Sequence, residues 1–92
     1  MLFMLTTADA SALQTVERLA ADEDKQLLLI SDAVYLAREA MAEVLSSHSI
    51  DEVYVEQGAL AARGLKPAPA WEAVDMERIL EIVLDSQKLI QL

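Results

Sequence analysis

The 92 residues carry sixteen acidic and seven basic side chains, a formal net charge of −9, with 54% hydrophobic residues, one histidine and no cysteine. So apolar a chain is not disordered, and without cysteine it has no disulfide, no thiolate nucleophile and no cysteine-based metal site. The acidic balance argues against direct binding to nucleic acid or to an anionic membrane, both of which need a cationic surface, and leaves a basic partner open.

In chain order, Met1 to Leu5 is a short apolar run of buried-strand type, ended by Thr6 and Thr7. "DASALQTVERLAA", Asp9 to Ala21, has helical periodicity: Leu13, Val16 and Ala20 form one stripe, while Gln14, Glu17 and Arg18 face water. Asp9 or Ser11 is placed to cap it. The charged turn "ADEDK" leads into Gln26 to Ser31, where continuous apolarity indicates a strand covered on both faces, although periodicity alone leaves a buried helix open.

A second helix is expected from Ala33 to Ser47, with Val34, Ala37, Met41 and Leu45 inward and Arg38, Glu39 and Glu43 outside. "DEVYVE", Asp51 to Glu56, is a third strand of β-branched and aromatic type. "GALAAR" makes one or two helical turns stopped by Gly64 at the position after the C-cap. "KPAPA" is a stiff connector, "WEAV" a short strand, and Asp75 an N-cap for a helix from Met76 to about Leu84. That helix carries Met76, Ile79, Leu80, Val83 and Leu84 on a wide apolar face, and "KLIQL" is the last strand. Alternating strands and helices imply an α/β three-layer sandwich, a single domain over residues 1–92 with a mostly parallel sheet of about five strands. A domain this small often gains from oligomerisation.

No apolar run approaches the ~18 residues of a membrane span, and "MLFMLTTADA" lacks the basic region of a signal peptide. The expected protein is soluble and cytoplasmic.

Ligands of open parallel sheets bind beyond the carboxyl ends of the strands, here Thr6 and Thr7, Ser31 and Asp32, Glu56 and Gln57, Val74 and Asp75. Asp32 and Asp75 each precede a helix, so capping is the favoured reading over an acid–base or metal site. Gly58 and Gly64 follow no phosphate-loop pattern, and His48 alone makes no zinc set. His48 falls at the strand-entry end, away from Ser31, which suits a helix-end cation and not a triad base. Tyr35 and Tyr54 read as half-buried aromatics with hydroxyls at the rim, and Trp71 as either core or contact residue. Arg63 reads first as a cation near a helix C-terminus, with pairing to an acid on a partner subunit as the alternative. No catalytic residue, metal or cofactor is assigned.

Three stretches in order resemble the landmarks of the DsrH/TusB family. "LLLISDAVYLA" resembles its "LLL-x-DGVY-x-A" signature, "VYVEQGALAARGL" its "YVL…D-x-x-ARG" segment, and "VDMERILEIV" the apolar–Asp–aromatic stretch that opens the last helix. The resemblance spans nearly the whole chain and implies a fold related to DsrE and DsrF. It also implies membership of a sulfur-relay complex, of the DsrEFH type in sulfur oxidation or the TusBCD type in 2-thiolation of the tRNA wobble uridine. Some members carry a cysteine in the first helix, at about Glu17 by ungapped counting from Asp32. With no cysteine, this chain resembles the cysteine-free TusB-type members and cannot itself hold a persulfide. The family glycine is Ala33 here, the acid usual before "ARG" is replaced around Gln57 to Ala59, and the connector from Gly64 to Asp75 is rich in Pro and Ala.

The resemblance therefore implies a non-catalytic subunit, partnered by DsrE/DsrF- or TusC/TusD-like subunits that carry the active cysteine. Its candidate contact residues are Asp32, Val34 and Tyr35 after the second strand and Arg63, Gly64 and Leu65 after the third helix. A stand-alone homo-oligomeric interaction or regulatory module is the alternative. An independent enzyme built on Asp32 and Asp75 has no nucleophile or metal set to support it.

Overall fold

The computed structural model describes residues 1–92. Five parallel strands form one sheet in the order β4-β3-β2-β1-β5: β1 Leu2–Leu5, β2 Gln26–Leu29, β3 Glu52–Glu56, β4 Glu72–Val74 and β5 Leu89–Gln91. The four α-helices are α1 Ala12–Ala20, α2 Ala42–Ser47, α3 Gln57–Ala62 and α4 Met76–Asp85. The α/β sandwich read from the sequence is the fold observed.

The layers follow from the connections. The chain steps from β1 to β4 in one direction across the sheet, so right-handed crossovers stack α1, α2 and α3 on one face. The return from β4 to β5 reverses direction and puts α4 on the other. Register separates the two faces: Phe3 pairs with Leu27 and Leu5 with Leu29, and their side chains join Leu13, Val16, Leu45 and Leu60 in the larger cluster. Leu2, Leu28 and Val74 point the other way and meet Ile79 and Ile82 of α4. No charged or polar residue is buried in either cluster. Burying one such leucine or isoleucine contributes roughly 1.5–3 kcal/mol, so these packed rows are the main source of stability.

The expected long second helix is corrected to three pieces: a 3₁₀ segment Ser31–Ala37, a 3₁₀ turn Glu39–Met41 and α2. Ala33, Val34, Leu36 and Ala37 are the buried residues of the first piece. They form two rows with a spacing of three, which is the 3₁₀ period and not the α period. Arg38 then turns extended, with φ −65° and ψ 152°. The carbonyl of Ala37 accepts from the N–H of Ala68 at 2.8 Å, so the "KPAPA" connector occupies an acceptor that a continuous helix would have used. Arg38 Nε donates to the Tyr35 carbonyl at 2.9 Å and finishes the segment.

Capping divides in the same way. Asp75 caps α4 as expected, its Oδ1 accepting from the Arg78 N–H at 2.8 Å. Ser11 is the N-cap residue of α1 but makes no side-chain cap bond, and Asp9 instead accepts from the Ser11 hydroxyl and N–H in a local turn. The Ser11 hydroxyl, followed by its N–H, holds the Asp9 carboxyl below its ordinary pKa. Gly64 takes the predicted position after the α3 C-cap with φ 63°. Its N–H donates to Ala61, and the Leu65 N–H donates to Leu60 at 2.9 Å, the paired bonds of a Schellman ending.

Candidate functional site

The carboxyl edge of the central strands is where the family-like landmarks meet. β2 ends at Leu29, and two residues later Ser31 turns with φ 52°, in the left-handed region. The glycine-like backbone therefore falls on Ser31, while Ala33, at the family's glycine position, is buried in the 3₁₀ segment. The Ser31 N–H donates to Glu56 Oε1 at 2.9 Å, joining the end of β2 to the end of β3.

Asp32 does not cap a helix. The segment's N-cap is Ile30, without a side-chain bond, and the Asp32 carboxylate turns to Arg63. Arg63 Nη2 and Nε donate to Asp32 Oδ1 at 2.7 and 3.2 Å, and Nη1 donates to the Ala59 carbonyl at 3.1 Å. The expectation that Arg63 sits near a helix C-terminus holds, but its acid comes from the same chain. Asp32 is exposed and Arg63 half-buried, so charge screening limits this pair to roughly 0–1 kcal/mol. Its larger effect is geometric: three donors fix the guanidinium across the gap between the 3₁₀ segment and α3.

The remaining sequence candidates lie around this pair. Tyr35 is half-buried, with the Arg38 guanidinium 5.7 Å from its ring centroid. Gly64 is exposed, and Leu65 packs partly against the larger cluster. Val34 is corrected: it is fully buried and supports the rim from below without contributing surface. A depression of about 350 Å³ opens beside the rim, between the starts of α3 and α4, lined in part by Glu56, Gly58, Asp75 and Met76.

The edge holds no nucleophile–base pair. Asp32 is engaged by Arg63, and Asp75 by the start of α4. His48 lies at the opposite end of the sheet, where its Nδ1 is 2.7 Å from Glu17 Oε1. No group of three or more His, Cys, Asp or Glu side chains could hold a metal ion, and no helix is long and apolar enough to cross a membrane. Tyr54, on the α4 face, hydrogen-bonds Glu52, which pushes its phenol up to about 12. Trp71 packs against the larger cluster with its ring N–H buried and unpartnered.

Sequence reasoning did not join Asp32 to Arg63, Glu17 to His48, Ser31 to Glu56 or Ala37 to Ala68. Each pair is brought together only by strand order. The one sequence signal for the first pair is that both residues fall inside family-like landmarks.

These features define an all-parallel α/β sandwich whose carboxyl edge is built from an ion pair, backbone turns and a helix cap. The chain belongs to the DsrH-like family, described as "DsrH like protein", which matches residues 7–89. That membership makes it, in general terms, a sulfur-relay subunit. Its fold is similar to that of the crystal structure of the YchN protein from E. coli, with a TM-score of 0.70, 16% identity, and 99% of this chain and 97% of that chain covered. No curated protein sequence matches it.

Proposed function

We propose that this protein is a non-catalytic subunit of a DsrEFH- or TusBCD-like sulfur-relay complex, with its Asp32–Arg63 rim contributing to the surface around a partner's cysteine. The complex would support persulfide transfer in the cytoplasm, for wobble-uridine 2-thiolation or for sulfur oxidation. The observation that carries the reading is the direct bond between two family landmarks at one sheet edge, in a chain with no cysteine.

The chemistry assigns the roles. In persulfide transfer a thiolate attacks the outer sulfur of a donor cysteine's persulfide, a new S–S bond forms as the donor's S–S bond breaks, and the donor cysteine leaves as its thiolate. Both thiols must come from other subunits, so this chain's contribution is to complete the assembly and hold the rim in shape. Asp32, Tyr35, Arg63, Gly64 and Leu65 are the rim residues proposed to do so, with Val34 beneath them. Direct contact with nucleic acid is not part of the proposal, since a net charge of −9 repels phosphate.

Co-expression with the cysteine-bearing DsrE- and DsrF-like proteins of the same source tests this. Affinity purification through this chain is expected to retain both in fixed proportion. Recovery of the chain without either partner would overturn the reading.

A further inference from the structure

The sheet face opposite the three-helix layer is covered by α4 alone. Five strands spaced about 4.8 Å apart make a face roughly 20 Å wide, and one helix shields about 10 Å of it. α4 seals Leu2, Leu28 and Val74 beneath Ile79 and Ile82. Leu89 of β5, paired in register with Leu2 and therefore on the same face, is 41% exposed.

α4 itself carries more apolar surface than it buries. Of the wide apolar face read from the sequence, Met76, Leu80 and Leu84 stay uncovered, at 60%, 56% and 82% exposure. Spaced four residues apart, they form one row along the helix. The next residue in each case, Glu77, Glu81 and Asp85, forms a parallel exposed row of acids. Arg78 is the only base on α4, and it faces Glu72 of β4 at 3.8 Å and Glu81 at 3.3 Å. That contact turns the Arg78 flank towards β4. The apolar row, about 160° round the helix from Arg78 at 100° per residue, is turned towards the opposite, β5 side of the sheet, where Leu89 stands.

We infer that the Met76–Leu80–Leu84 row and Leu89 are a docking surface for a protein partner with an apolar groove edged by lysine or arginine. Charge complementarity selects that occupant. A second copy would bring one acidic row against another when α4 packs across a two-fold axis, between chains that each carry −9. A basic edge opposite Glu77, Glu81 and Asp85 removes that repulsion and speeds encounter. The inference rests on the sulfur-relay reading in one respect: the partner is a DsrE- or DsrF-like subunit.

The test uses the full chain co-expressed with those subunits, as wild type, as a Leu80→Ser/Leu84→Ser variant, and as a Glu77→Lys/Glu81→Lys/Asp85→Lys variant. Thermal unfolding of each isolated chain checks that these exposed substitutions leave the fold intact. The serine variant is expected to bind at least about tenfold more weakly, from lost apolar burial. The lysine variant is expected to bind more weakly and to lose the salt sensitivity of wild-type binding. Variants that bind like wild type overturn the docking surface and leave the sulfur-relay reading standing. A wild-type chain that binds neither subunit overturns both. A wild-type homodimer that the leucine substitutions abolish overturns the inference in favour of a second copy.

Discussion

Arg63 holds Asp32 across 31 residues of sequence, through two guanidinium nitrogens on one carboxylate oxygen at 2.7 and 3.2 Å. The contact ties the 3₁₀ segment after β2 to the end of α3, and so fixes the shape of the rim proposed to face a partner. Because Asp32 is exposed, a double-mutant cycle with Asp32→Ala and Arg63→Ala is expected to give a coupling of no more than about 1 kcal/mol in urea unfolding. Arg63→Ala is expected to cost more than the coupling, because the Ala59 carbonyl also loses its donor.

The two glycines of α3 and its ending respond in opposite directions. A Cβ at either position would meet nothing within 4 Å, so backbone conformation alone decides the outcome. Gly64 has φ +63°, and Gly64→Ala is expected to destabilise by about 1 kcal/mol. Gly58 lies inside α3 without positive φ, and Gly58→Ala is expected to stabilise by about 0.5–1 kcal/mol. Thermal unfolding should separate the variants in sign, at roughly 4–8 °C per kcal/mol for a domain of this size.

At the start of α4, Asp75→Ala is expected to cost about 1 kcal/mol, and Asp75→Asn much less, because the amide oxygen still accepts from the Arg78 N–H. Chemical denaturation with unchanged m-value is the appropriate measurement.

Tyr54 gives the pH prediction. Its hydrogen bond to Glu52, followed by desolvation, raises the phenol from 10.0 to about 12. A raised folded-state value means that the contribution is fully present below pH 10 and is lost as pH rises towards 12. Tyrosinate absorbance should show one tyrosine ionising near 12, and Glu52→Gln should move that step back towards 10.

The alternation of strands and helices was legible because each strand is a continuous apolar or β-branched run bounded by polar turns, and Asp75 and Gly64 because their capping chemistry is local. The second helix was misread for a physical reason. Positions 33, 34, 36 and 37 satisfy an α stripe only partly, and the Ala68 bond that breaks the helix comes from a distant connector. Asp32 was misread as a cap because its position before a helical segment suits a cap, and Arg63, which claims it, adjoins it only after β2 and β3 pair. On α4, composition indicated a wide apolar face but not that only Ile79 and Ile82 would be buried. Nothing in the sequence says that one helix must cover a five-stranded face.

Native mass measurement of the purified assembly, with persulfides located on each subunit, tests the central claim most directly. The account predicts a complex containing this chain and cysteine-bearing DsrE- and DsrF-like subunits, with transferable sulfur only on those subunits. A homo-oligomer of this chain alone, with the cysteine-bearing subunits assembled and loaded without it, would contradict the account.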